Sequence, residues 1–237
     1  MDPVVEKKNL RYLAQSAWTK PFREYLYRKL PKDRPVSILE VGCGTGVLIR
    51  CVEKEFPGKI SLFAGADIER KVLEYAKDNA CSAAVQADGM DLPFAEGLFD
   101  FVFCHYLLLW TDLPERVITE MKRVAKPGGL CAAMAEPDYG EMTAEPESLR
   151  KLAQKQTRAL TSLGAELNNG HKLGDLFRSA GFQNWRSGCY ETGKKDRDFL
   201  DREISQMAED CGDEPFSIEN NVDYVYNVPT YYAYAVK

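Results

Sequence analysis

The chain is poor in the residues that hold metals and crosslinks. It has two histidines, His105 and His171, and seven scattered cysteines, an odd number with no C-x-x-C pair. That pattern supplies neither a zinc site nor a disulfide framework, so no metal centre is expected and the thiols read as small hydrophobes in a reducing, cytoplasmic setting. No stretch approaches the roughly 20 apolar residues that cross a bilayer. Met1 to Leu10 is too charged and polar for a signal peptide. An excess of positive charge is also lacking: Lys and Arg number 31 against 36 Asp and Glu, the net charge is -5, and the signs are interleaved. The one-sided basic field of a nucleic-acid binder is therefore missing, and neither nucleic acid nor membrane is expected as a partner.

What is present is an ordinary globular composition, 45% hydrophobic and 28% charged over 237 residues. One domain spanning 1–237 is expected. Val4 to Leu30 has helical character and stops at Pro31, Asp33 and Pro35, giving an N-terminal helical cap over 1–35. Strands are then predicted at Val36–Val41, Ile60–Ala66, Ala83–Ala87, Phe99–Cys104 and Leu130–Ala135, alternating with helices at Gly46–Glu55, Glu69–Asn79 and Pro114–Ala125. Apolar strands alternating with helices imply an α/β fold, a doubly wound, mostly parallel sheet with helices on both faces. After the core at 36–136, residues 137–170 are too long for a passive connection and hold a charged helix near Glu145–Leu163, which reads as a lid. In 171–237 the alternation resumes with a helix at Lys172–Ala180 and a strand at Phe182–Tyr190. A second insertion, 192–228, carries an acidic helix near Asp198–Glu209, and Thr230–Val236 closes a seven-stranded sheet.

The most informative run is Ile38-Leu39-Glu40-Val41-Gly42-Cys43-Gly44-Thr45-Gly46, a strand, a glycine turn and a helix start. A dinucleotide site wants G-x-G-x-x-G, with pyrophosphate on the helix N-terminus. Here Val47 occupies the third glycine slot and Gly46 falls one residue early. The E-x-G-x-G-x-G form, with Asp67 closing the second strand, Ala87-Asp88-Gly89-Met90-Asp91-Leu92-Pro93-Phe94, Phe99-Asp100-Phe101-Val102 and Arg123-Val124-Ala125-Lys126-Pro127-Gly128-Gly129, resembles the class I S-adenosylmethionine (AdoMet)-dependent methyltransferases of the type 11 kind, in their order and spacing. The resemblance covers Val36 to Ala135 and implies a Rossmann-like fold and AdoMet as cofactor, with S-adenosylhomocysteine as product. It departs at Ala87, at Cys43, and at Leu107-Leu108-Leu109-Trp110, where relatives often carry L-H-H.

By that resemblance Glu40, Gly42, Cys43, Gly44, Thr45 and Gly46 wrap the methionine end of the cofactor, Asp67 with Ile68 receives the ribose, and Asp88 with Gly89 and Met90 receives the adenine. Ligands of open α/β sheets bind beyond the carboxyl ends of the strands. Cys104, His105, Tyr106, Glu136, Asp138 and Tyr139 lie at the ends of strands four and five there, with Cys104 and His105 expected to touch the cofactor. His105 and Glu136 are the catalytic candidates, because a base near pH 7 assists a protonated nucleophile. Tyr106, Asp138, Tyr139 and Trp18 are the candidate substrate contacts, Arg23 a candidate for the cofactor carboxylate, and His171 a helix-start or lid residue. A monomer or homodimer acting on a small-molecule O, N or S nucleophile is expected. The alternatives are a protein or tRNA methyltransferase, a non-catalytic AdoMet-binding protein, a thiol or arsenite methyltransferase using Cys104 or Cys131, and a nicotinamide oxidoreductase, which Asp67 permits and Val47 opposes.

Overall fold

The computed structural model describes residues 2–79, 83–190, 197–212 and 223–237, without the side chains of 18 and 197–200. Helices α1 (Pro3–Trp18) and α2 (Lys20–Tyr27) precede β1 (Val36–Val41), α3 (Val47–Glu55), β2 (Ile60–Asp67), α4 (Arg70–Asn79), β3 (Ala83–Gln86), β4 (Phe99–Cys104), α5 (Pro114–Val124) and β5 (Ala125–Pro137). Then come β6 (Thr143–Glu145), α6 (Glu147–Ser162), α7 (Leu173–Ser179), β7 (Arg186–Cys189), α8 (Arg197–Asp210), β8 (Val225–Asn227) and β9 (Thr230–Val236). The main sheet runs β3-β2-β1-β4-β5-β9-β7, with β9 antiparallel to both neighbours and the first five strands parallel. No described helix is long and apolar enough to cross a membrane.

Strand periodicity builds the two cores. Successive side chains point to opposite faces, so Leu39, Val41, Val102 and Cys104 pack with Ile118, Met121 and Phe177 on one side, while Ile38, Phe101 and Phe103 pack with Leu26, Ile49 and Val52 on the other. All six residues of β1 and of β4 are buried, as a sheet covered on both faces requires. A third apolar cluster, Leu149, Leu152, Ile204, Met207 and Tyr226 among its members, holds α6, α8 and β8 together beside the main sheet.

Where structure and expectation differ, local chemistry explains it. The cap is two helices broken at Thr19, because Pro21 enters at the start of α2 and biases the preceding backbone away from a continuous helix. Strand β5 begins at Ala125 instead of Leu130: the Pro127-Gly128-Gly129 segment stays in the strand across a register shift, with Ala125 paired to Phe99. The strand expected from Phe182 is confined to Arg186–Cys189, and the small β6–β8 pair was not foreseen. Three-residue strands carry too little alternation to be read. Part of the insertion expected at 192–228 lies outside the described residues.

Candidate active site

The parallel strands end along one edge of the sheet, at Val41, Asp67, Gln86, Cys104 and Pro137. The loop after β1 turns there through Gly42 (φ 74°) and Gly44 (φ 51°), a left-handed backbone that glycine tolerates. Both glycines are also crowded: a Cβ on Gly42 would lie 2.8 Å from Leu107 Cδ1, and one on Gly44 would lie 2.7 Å from Tyr12 Cε2. The backbone N–H groups of Gly42 and Cys43 donate to Ala66 O at 2.7 and 3.0 Å, and that of Gly44 donates to Asp67 Oδ2 at 2.7 Å. Asp67 Oδ1 accepts from Glu69 N at 2.9 Å. Burial raises the Asp67 carboxyl above its usual range despite these bonds.

Glu40, one residue inside the end of β1, is 3% exposed, and its Oε2 atom has no hydrogen-bond partner among the described residues. Burial and then the Asp67 charge push its carboxyl well above the ordinary range. A buried unsatisfied carboxyl oxygen is costly and asks for a donor. Asp88 Oδ1 accepts from Met90 N at 2.9 Å, closing the turn after β3, and Gly89 sits where a Cβ would meet Val41 at 3.1 Å. Glu40, the glycine loop, Asp67 and Asp88 are thus gathered at the ends of the adjacent strands β1, β2 and β3. Thr45 is fully buried and its hydroxyl donates to Asn9 Oδ1 at 3.0 Å, while Ile68 is largely exposed.

Helix α1 roofs this edge, a role the sequence did not disclose. Asn9 also accepts from Arg50 Nη2 at 2.9 Å, Lys8 pairs with Glu69 at 2.5 Å, and the Tyr12 ring lies on Gly44, where burial pushes its phenol up to about 12. The same helix reaches the second insertion: Lys7 pairs with Glu209 at 3.1 Å and Arg11 with Asp210 at 3.2 Å on α8. Asn9 and Lys8 stand three and four residues before Tyr12, so all three share one side of the helix, a spacing that in retrospect marked a second face. The Trp18 side chain lies outside the described residues.

The residues after β4 and β5 divide. Tyr106 is the one non-glycine residue with positive φ (55°) among the described residues, and its N–H donates to Ala135 O at 2.8 Å. Burial first, then neighbouring Tyr139 and Glu203, raise its phenol well above the usual value. His105 stacks edge-on against Tyr106 with ring centroids 4.9 Å apart, and its Nε2 lies 3.3 Å from Thr19 Oγ1. Burial and the Arg23 charge lower the imidazole to about 3, so it is neutral at pH 7. Glu136 is fully buried and accepts from the backbone N–H groups of Leu107 (3.1 Å) and Leu108 (3.0 Å), with Cys104 Sγ at 3.9 Å. Burial raises its carboxyl to about 7 against the pull of those amides.

Three expectations meet other partners. Arg23 is 1% exposed and spends its guanidinium on Glu55 (2.9 Å), Ser16 O (2.9 Å) and Thr19 Oγ1 (3.3 Å), which removes it from a cofactor carboxylate. Asp138 is buried and ties the chain after β5 to the start of the α7 segment, with Oδ2 2.6 Å from His171 Nδ1 and 3.1 Å from His171 N. The Asp138 carboxylate is thus engaged by His171 in this structure. Cys104 and Cys131 are buried thiols whose burial raises them, to about 12 for Cys131, so neither is poised as a thiolate acceptor.

Residues 39–133 match the family model of a methyltransferase domain, type 11. Over 184 residues the chain is 27% identical to a ubiquinone/menaquinone biosynthesis C-methyltransferase of Desulfotalea psychrophila, covering 68% of this chain and 71% of the relative. Over 105 residues it is 33% identical to a malonyl-[acyl-carrier protein] O-methyltransferase of Hahella chejuensis, covering 42% of this chain and 37% of the relative. Further curated relatives are matched over 38% to 51% of their own length. Among solved structures, a phosphoethanolamine N-methyltransferase of Haemonchus contortus, in complex with phosphomonomethylethanolamine and S-adenosylhomocysteine, superposes with a TM-score of 0.60 at 17% identity, covering 90% of this chain and 51% of that one. Residues 39–133 therefore match a methyltransferase domain, and the sheet has the fold of solved methyltransferases such as that one.

Proposed function

We propose that this methyltransferase-domain chain binds AdoMet along the ends of β1, β2 and β3 and transfers its methyl group to a small-molecule nucleophile. The observation that carries the reading is the buried, unpartnered Oε2 of Glu40 beside the Asp67 carboxyl. Two neighbouring carboxyls under a glycine loop repel a pyrophosphate and suit a ligand that brings an ammonium and a sulfonium, which fits AdoMet and opposes a dinucleotide. Glu40 would take the amino group, Asp67 the ribose hydroxyls and Asp88 the adenine amine.

AdoMet supplies an already activated methyl group. The protein's share is to hold the acceptor in line and to exclude water. Helix α1 lies over the glycine loop and is tied to α8 of the second insertion by Lys7–Glu209 and Arg11–Asp210. That cover over the loop favours a small acceptor over a protein or tRNA. Neither expected acid–base group serves as a base at neutral pH by its surroundings: the His105 conjugate acid is too acidic, and both Glu136 oxygens are turned to the 107–108 amides. We assign His105 to the wall of the pocket and Glu136 to positioning the loop after β4. Free thiols at Cys51, Cys104, Cys131 and Cys189 accord with a reducing cytoplasmic setting.

The test is incubation with methyl-labelled AdoMet and a metabolite extract, then separation into small-molecule, protein and RNA fractions. Label in the small-molecule fraction, lost with Asp88→Ala, supports the reading. Label confined to protein or RNA would overturn the acceptor class.

A further inference from the structure

The segment that follows β3, from Asp88 to Phe94, hangs on the side chains of one helix. Helix α5 buries Val117, Ile118, Met121 and Val124 against the sheet, while Arg116, Glu120 and Arg123, spaced i, i+4 and i+7, form a polar stripe beside that face. All three reach back to the segment. Arg116 Nε donates to Met90 O at 3.0 Å, and Glu120 Oε2 accepts from Leu92 N at 2.8 Å. Arg123 donates through Nη2 to Leu92 O and through Nη1 to Phe94 O, both at 2.8 Å. Its guanidinium also grips both oxygens of Glu120 at 2.7 Å, a two-point pairing that fixes the planar fork and holds the Glu120 carboxyl below its usual range. Backbone groups that no sheet or helix ladder pairs are thus met by side chains of α5. Val117 of the same helix lies 3.6 Å from where a Cβ on Gly89 would stand.

The consequence reaches Asp88. Its Oδ1 accepts from Met90 N at 2.9 Å and its carbonyl accepts from Asp91 N at 3.0 Å, so the carboxylate is oriented by the same residue whose carbonyl Arg116 holds. Oδ2 makes no hydrogen bond among the described residues. Anchors at Met90, Leu92 and Phe94 leave this free oxygen one direction to face.

We propose that Arg116, Glu120 and Arg123 are positioning residues that aim Asp88 Oδ2 at the 6-amino group of adenine, so that preference for adenine over other purines is set from α5. This rests on the AdoMet reading above. The three side chains act through the backbone of 90–94 and not by touching the base. An acceptor aimed in advance gives up little freedom on binding, and a site built around a hydrogen bond rejects a base that lacks the donor.

The test is calorimetric titration of S-adenosylhomocysteine and of its purine analogue, in which hydrogen replaces the 6-amino group, into wild type, Arg116→Gln, Arg123→Gln and Arg123→Lys. Wild type should bind S-adenosylhomocysteine at least about tenfold tighter than the analogue, as one hydrogen bond to a charged acceptor implies. In Arg123→Gln that ratio should fall to within about threefold, through loss of affinity for S-adenosylhomocysteine with the analogue nearly unchanged. Arg123→Lys, which keeps the charge and can reach one carbonyl, should recover part of the ratio. Arg116 is exposed, so Arg116→Gln decides the matter if Arg123→Gln does not fold; its ratio should drop at least about threefold. Variants that weaken both ligands alike, or that keep the wild-type ratio, overturn the proposal, as does a wild type that does not distinguish the two ligands. Failure of S-adenosylhomocysteine to bind wild type would instead sink the cofactor reading.

Discussion

Asp67 Oδ2 accepts a 2.7 Å hydrogen bond from the backbone N–H of Gly44, so the acid at the end of β2 holds the glycine loop in place at the proposed cofactor site. Asp67→Ala should therefore do two things. It removes a cofactor contact, and it leaves a loop amide without its acceptor. A bond to a charged acceptor is worth roughly 1.5 to 3 kcal/mol, so AdoMet affinity should fall by about tenfold or more. Melting temperature without ligand should fall too, and Asp67→Asn, which keeps one acceptor oxygen, should fall less on both measures. Unchanged affinity and stability would remove Asp67 from the site.

Gly44→Ala tests the roof over that loop. Its φ of 51° disfavours a side chain, and the new methyl would lie 2.7 Å from Tyr12. The loop and the roof of α1 cannot both keep their places. Binding of S-adenosylhomocysteine should weaken at least about tenfold by calorimetry, and Tyr12→Ala in the same chain should restore only part of it, because the backbone cost of about 1 to 2 kcal/mol remains. Full restoration would mean that the ring alone matters.

How much was legible follows from what kind of signal each residue sends. The glycine loop, Asp67 and Asp88 sit in contiguous motifs whose spacing is set by strand–turn–helix geometry, and the strands read from their unbroken apolar runs. Tyr12 and Asn9 are far from those motifs in sequence and reach the site only because α1 folds back over the sheet edge. Arg23 and Asp138 meet protein partners for a related reason: a charged residue near a strand end looks the same in sequence whether it faces a ligand or pairs within the chain, as here with Glu55 and His171. The paired outcome needs coordinates.

Glu136 predicts a pH dependence of stability. Its folded pKa of about 7 lies above the ordinary 4.5 of a free glutamate, so between these values the native state keeps a proton that the unfolded state releases. Native stability from this group is greatest below 4.5 and is lost as pH rises through 7, by on the order of 3 kcal/mol. Urea midpoints measured from pH 5 to 8 should decline, and Glu136→Gln, which does not ionise, should decline less. Equal slopes for the two proteins would mean that Glu136 titrates normally.

His105→Ala should leave AdoMet affinity within about threefold and lower methyl transfer less than the roughly hundredfold to ten-thousandfold expected of a general base. Because the imidazole is already neutral above about pH 3, the acid limb of the rate between pH 5 and 8 should be the same in both proteins. An acid limb that disappears with the histidine would restore it as a base.

The cofactor is the central claim, and calorimetric titration of the purified chain tests it most directly. AdoMet and S-adenosylhomocysteine should each bind at one site per chain and raise the melting temperature by mass action, with Asp88→Ala about tenfold weaker, while NAD and NADP produce no heat. Tight binding of NAD with no response to AdoMet would contradict the account.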